Sequence, residues 1–106
     1  MSFQNQFTKT TTDANLMETV HHGSAEYPFR YYYENIALFD FKCIDWHWHS
    51  ELEFIYIESG NVVFDIGTVH FELNEGNGIM INSKILHRLQ SSSDAIIPNF
   101  LFQPSF

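Results

Sequence analysis

The residues best suited to chemistry lie in one short stretch, His47-Trp48-His49-Ser50-Glu51-Leu52-Glu53, joined later by His87. Imidazole nitrogens and a carboxylate oxygen are donors that divalent transition metals accept. His47, His49, Glu53 and His87 together make a mixed set suited to zinc, nickel, manganese or iron. The same side chains could instead form a metal-free hydrogen-bonded cluster, or line a pocket that grips an organic ligand. Spacing decides whether they can meet. In a strand, residues i and i+2 point to the same face, so His47 and His49 share one. A turn at Ser50-Glu51 starts the next run, in which Glu53, Ile55 and Ile57 share a face. An antiparallel neighbour brings Glu53 within reach of both histidines, and the strand after Gly76-Asn77-Gly78 leads on to His87.

Positioning such a set is a task for short strands. From Tyr31 onward the chain reads as β runs at 31–33, 36–43, 45–49, 52–58, 62–66, 69–73, 79–82, 87–90 and 95–102, separated by Gly, Asn, Ser and Asp. Turns about every 8–12 residues predict an all-β, antiparallel sandwich or barrel. Val62, Phe64 and Ile66 share one face, and Val69, Phe71 and Leu73 another, which turns His70 toward solvent. Gly60 and Gly78 are expected in hairpins at positive φ. Trp46 and Trp48 alternate with the histidines and face away from them, packing under the amino-terminal segment or at a subunit contact. Glu51 reads as a solvated turn residue and Cys43 as an inert core thiol.

The whole chain sets the limits. Its 106 residues allow one small domain, and 11 Phe, 5 Tyr and 2 Trp supply a core for it. Thirteen acidic residues against five basic ones give a formal charge of −8, which repels phosphate and argues against nucleic-acid binding by this segment. A single cysteine excludes an internal disulfide framework. The first fifteen residues are polar, without a secretory h-region, and no apolar run approaches the ~20 residues of a membrane helix. A cytoplasmic protein without a membrane partner is the expectation. Residues 1–15 read as a loose arm, and residues 16–22 as a short helix ended by Gly23 or as an extended lead-in. The chain thus divides into a polar arm, residues 1–26, and a domain, residues 27–106.

The central stretch resembles the cupins. Their first motif, HxHxxxExxxxxxG, is filled by His47, His49, Glu53 and Gly60, and Gly76 with His87 fits part of the second. The second motif departs from the pattern at Asn82, where proline is common, and in lacking an asparagine after His87. With HWH, the later Ile81-Asn82 and His87, and the lead-in His22-Gly23, Pro28-Phe29 and Tyr31, residues 18–102 are similar to the amino-terminal sensors of AraC-type transcription regulators. The resemblance implies an antiparallel cupin barrel (a double-stranded β-helix or jelly roll) that binds a small-molecule effector, with a sugar as one candidate. It also implies a homodimer, and DNA contact only through a helix-turn-helix domain carboxy-terminal to the barrel. No such domain follows residue 102, so a chain truncated at that end is expected.

Sensor cupins often keep the motif without using a metal, so no cofactor is required on this reading and no catalytic residue is assigned. The alternative is a small cupin metalloenzyme of the dioxygenase or sugar isomerase type, with His47, His49, Glu53 and His87 as ligands. No nucleophile with a base at recognisable spacing accompanies them.

Overall fold

Alternation along the strands builds two facing sheets. The computed structural model describes residues 10–19 and 29–104. Its strands are β1 (Phe29–Asn35), β2 (Cys43–His47), β3 (Leu52–Tyr56), β4 (Asn61–Ile66), β5 (Val69–Asn74), β6 (Gly78–Ile81), β7 (His87–Gln90) and β8 (Ile96–Phe102). One sheet has the order β1-β8-β3-β6 and the other β2-β7-β4-β5, with antiparallel pairing throughout. Of the connections between successive strands, only β4–β5 stays within one sheet; the rest cross between sheets, as in a jelly roll.

Each inner face is the apolar half of an alternating strand. Ile55 and Ile57 next to Glu53, Val62 and Phe64 on β4, and Ile97 with Leu101 on β8 are all buried. Phe71 of β5 stacks on Phe64 with ring centroids 5.6 Å apart. Register holds because a slip by one residue would turn each of these faces to solvent.

One expected strand is absent. Residues 36–42 do not form a strand; they make two 3-10 turns, Ile36–Leu38 and Asp40–Lys42, and β2 begins only at Cys43. The buried residues here are Ile36 and Phe39, a spacing of three that a 3-10 turn places on one side. Counting apolar residues suggested a strand; their spacing fits a turn. The Asn35 carboxamide caps the first turn, accepting from Ala37 N at 3.0 Å.

Two glycines matter for different reasons. Gly60 lies at φ +83°, and a Cβ there would stand 2.7 Å from the Asp94 carbonyl oxygen. Gly78 does not have the positive φ expected of it. Its need for glycine is the Phe54 ring, whose Cζ would lie 2.8 Å from an added Cβ.

Before the barrel, the described part of the arm is docked. Leu16 closes a turn at φ +66°, and Met17 and Glu18 lie in β-bridges and not in a helix, nearer the second of the two expectations; residues 20–22 lie outside the described residues. Thr12 bridges Glu18, and Met17 bridges Trp48. Asp13 Oδ1 closes the turn between them, accepting from Asn15 N at 2.8 Å and Met17 N at 3.0 Å.

Candidate functional site

A bulge in β2 sets up the site. Cys43 and Ile44 pair with Gln90 and Leu89, but the next pair is His47 with His87, so β2 carries one residue more than β7 between them. The extra residue restores inward parity for His47 and puts it opposite His87, with ring centroids 4.1 Å apart. His49 follows in the crossing to the other sheet, where Glu53 enters from β3. Two elements of one sheet, one of the other and the link between them thus supply the cluster.

All four expected side chains converge. One ligand atom from each of His47, His49, Glu53 and His87 lies within 4.8 Å of the others, and all four residues are buried. Glu53 Oε1 is 3.2 Å from the Nε2 of His49 and 3.2 Å from the Nε2 of His87. The other ring nitrogen of each histidine meets a backbone carbonyl: His47 Nδ1 lies 2.7 Å from Asp45 O, His49 Nδ1 3.0 Å from Glu51 O, and His87 Nδ1 2.8 Å from Ile85 O. A carbonyl only accepts, so each Nδ1 bears a hydrogen; each Nε2 points to the centre, where it can take a metal or, when it too is protonated, donate to Glu53. This is the outer-shell support that orients metal-ligating imidazoles, and the donor set fits a divalent transition metal.

Burial and charge divide the histidines. Burial, helped by the neighbouring His87, pushes His47 down to about 4, so it is neutral near pH 7. Burial also opposes charge on His49, but the hydrogen bond and charge of Glu53 outweigh it and raise that imidazole to about 9. Glu53 resists its own burial through hydrogen bonds from His49 and His87, which hold its carboxyl well below the ordinary range. Without a cation at the centre, the group holds a His49–Glu53 ion pair.

Glu51 corrects the expectation made for it. It is 3% exposed rather than solvated, and its carboxylate lies 3.9 Å from His49 Nδ1. His70 does face solvent, yet it is not bare: its Nδ1 lies 2.5 Å from Asp65 Oδ1. Arg88 holds the other oxygen of Asp65 at 3.0 Å and lies over Trp46, 4.8 Å from the ring centroid. Trp48 turns away from the histidines and takes the amino-terminal segment, its Nε1 donating to Asn15 O at 2.9 Å. Cys43 is half-buried, and burial raises its thiol above the ordinary value.

The cluster borders a narrow cavity of about 40 Å3 between the sheets. Its wall contains residues that motif reading passed over: Tyr32 and Glu34 of β1, Asn99 of β8, and Thr10 and Glu18 of the arm. Parity was the available signal for Asn99, a polar residue between inward Ile97 and Leu101. Nothing in the sequence marked Thr10 or Glu18.

Residues 35–103 match the family model described as AraC-like ligand binding domain. The uncharacterized HTH-type transcriptional regulator YdeC of Bacillus subtilis is 37% identical over 75 residues, which cover 71% of this chain and 26% of that protein. The chain therefore spans about a quarter of that relative's length. Among solved structures, a cupin-2 domain protein from Shewanella frigidimarina superposes with TM-score 0.62 at 13% identity, covering 72% of each chain. Protein NMB1881 from Neisseria meningitidis gives 0.61 at 14% identity, over 72% of this chain and 75% of that one. Oxalate decarboxylase of Bacillus subtilis, a protein with Mn(II) centres, gives 0.55 at 23% identity, over 60% of this chain and 19% of that one. Likeness at these identities is likeness of fold: the two sheets form an antiparallel cupin barrel.

Proposed function

Because the chain belongs to the AraC-like ligand-binding domain family, we propose that it is the effector-sensing part of a bacterial AraC-type transcription regulator. It takes a small molecule into the barrel and passes its occupancy to a helix-turn-helix domain outside these residues. The observation that carries this reading is the cavity, whose wall has His47, His49 and Glu53 of the buried cluster together with Thr10, Thr11 and Glu18 of the amino-terminal arm. The formal charge of −8 supports leaving DNA to another part of the parent protein.

Within this reading, residues 1–26 form the arm and residues 27–106 the sensor. His47, His49, Glu53 and His87 are wall residues of the effector pocket, no cofactor is required, and a sugar is one class of effector. Effector binding reorders the arm, whose Thr10, Thr11 and Glu18 reach the cavity wall. Cytoplasmic location fits a regulator, and no helix among the described residues is long and apolar enough to cross a membrane. A homodimer belongs to the same reading; exposed Phe54 and Met80 on the outer face of the β1-β8-β3-β6 sheet support it.

Retention of the parent regulator's promoter tests the proposal. Full-length protein should retain that DNA with effector-dependent affinity, while residues 1–106 alone should not. Saturable, sequence-selective retention by residues 1–106, or a full-length regulator indifferent to cavity substitutions such as Tyr32→Ala, defeats it.

A small metalloenzyme is the second reading, favoured by the carbonyl support of all three Nδ1 atoms. His47, His49, Glu53 and His87 would hold zinc, nickel, manganese or iron, and the ion would supply Lewis acidity to a bound oxygen ligand. Turnover that requires the metal and is lost in His49→Ala would favour it over the sensor.

A further inference from the structure

We infer that the outer face of the β1-β8-β3-β6 sheet docks on the same face of a second copy, the two sheets meeting around Phe54 and Met80. This rests on the sensor reading for the expectation of a dimer, and adds to it the surface through which two copies meet.

Register lays the face out in rows. Tyr31, Phe100, Phe54 and Met80 stand side by side across the four strands, and Phe29, Phe102 and Leu52 form the next row. The residues that alternate with them point inward, where Tyr32, Asn99 and Glu53 line the cavity. An antiparallel sheet with one face on the core commonly turns polar side chains to water on the other. This sheet is apolar on both. Its outer rings are ordered against one another: the Tyr31 and Phe100 centroids lie 4.7 Å apart, and the Phe54 ring covers Gly78. Even so, Met80 is 51% exposed, Phe29 40% and Phe54 37%. A surface ordered in advance loses little side-chain entropy when it docks.

Charge selects the occupant. With 13 acidic residues against five basic ones, two copies repel wherever their acidic surfaces meet. No outward position on these four strands is acidic or basic. The outer face of the other sheet is ionic: Asp65 meets His70 and Arg88, and Glu72 accepts from Asn61. A basic partner or a nucleic-acid backbone would find no charge to pair with on the aromatic face. A second copy brings an identical uncharged surface, and a two-fold axis matches the patch with itself.

Area sets the strength. Four short strands about 4.8 Å apart present on the order of 400 Å2 per copy. That is ample for an exposed apolar patch and small for a permanent interface, so a reversible dimer with Kd on the order of 10 μM is expected.

Sedimentation equilibrium of residues 1–106, from about 5 to 500 μM, reads the association. The dimer should tighten severalfold between roughly 0.05 and 0.5 M NaCl, because salt screens the repulsion between acidic copies. Phe54→Glu and Met80→Glu should each weaken it at least about tenfold with little change in melting temperature. Met80→Glu, at the more exposed position, carries the test if Phe54→Glu fails to fold. Val69→Glu adds the same charge at a 58% exposed site on the other sheet and should leave the dimer unchanged. A monomer throughout this range overturns the proposal and gives the face to another segment of the parent regulator. A dimer that both face variants leave intact, or that salt dissociates, overturns it too. The sensor reading stands or falls separately on promoter retention.

Discussion

His47 and His87 face each other across the β2–β7 ladder, ring centroids 4.1 Å apart, only because β2 carries one residue more than β7 after Ile44. The register shift therefore decides whether the cluster exists. Deleting Asp45 should restore an uninterrupted ladder in which His47, now two places after Ile44, still faces inward opposite His87 but loses the Asp45 carbonyl that holds its ring. Metal affinity and cavity-ligand affinity should both fall while the far β4–β5 hairpin keeps its hydrogen-exchange protection. Unchanged affinity would show that the bulge does not set the site.

The cluster's capacity for metal has a direct measurement. Protein purified without an affinity tag and offered zinc or nickel should bind about one equivalent. His49→Ala and Glu53→Gln should each weaken binding by roughly 100-fold or more, beyond the 10–100-fold typical of outer-shell changes. Elemental analysis after dialysis reads the outcome. No metal under any loading condition would leave the cluster as a pocket wall.

The metal-free protein should be most stable near pH 6.5. His49, raised from 6.5 to about 9, contributes stability that is complete below 6.5 and lost as pH rises toward 9. His47, lowered from 6.5 to about 4, costs stability as pH falls through that interval, because the unfolded chain takes up the proton first. Glu53, held below its ordinary 4.5, adds to the loss on the acid side. Thermal melts of EDTA-treated protein should trace this dome, and Glu53→Gln should flatten its alkaline limb. A melting temperature that still falls between pH 6.5 and 9 in Glu53→Gln would remove the ion pair as the cause.

Much of this arrangement could be read before any coordinates. Parity at His47, His49 and Glu53 rests on a two-residue period, which backbone geometry enforces wherever a strand forms, and turn residues marked most strand ends. The departures come from contacts that the local pattern does not encode. Residues 36–43 bury Ile36 and Phe39 through a tight turn, and Glu51 is buried beside His49. Gly78 yields to a ring on the neighbouring β3, and the carbonyl partners of the three Nδ1 atoms are backbone groups with no signature of their own.

The two glycines should respond to alanine by different routes. Gly60→Ala meets both a left-handed backbone and the Asp94 carbonyl, and should cost about 2 kcal/mol or more. Gly78→Ala has no left-handed strain; it requires the Phe54 ring to shift and should cost about 1 kcal/mol. Combining Gly78→Ala with Phe54→Leu should recover most of that loss. Urea denaturation of the single and double variants checks both, and equal losses at the two sites would contradict the distinction.

Trp48 ties the arm to the barrel, so the arm should come free without unfolding the rest. Trp48→Phe removes the indole hydrogen bond to Asn15 O while leaving the backbone bridge at Met17. Limited proteolysis should then cut residues 10–19 several times faster, with the barrel's melting transition moved by only a few degrees. In the full-length regulator, deleting residues 1–15 should abolish the effector response. A normal response would remove the arm, though not the barrel, from the switch.

The cluster draws His47 and His87 from one sheet and Glu53 from the other, so whatever occupies its centre acts as a rivet through the sandwich. The empty barrel is two plates joined along crossing loops and a soft apolar interior. The riveted one is stiffened at a single point. Its message would then be a change in how far the plates can breathe, which an average structure records poorly and which the amplitude of slow amide exchange in β3 and β7 would report.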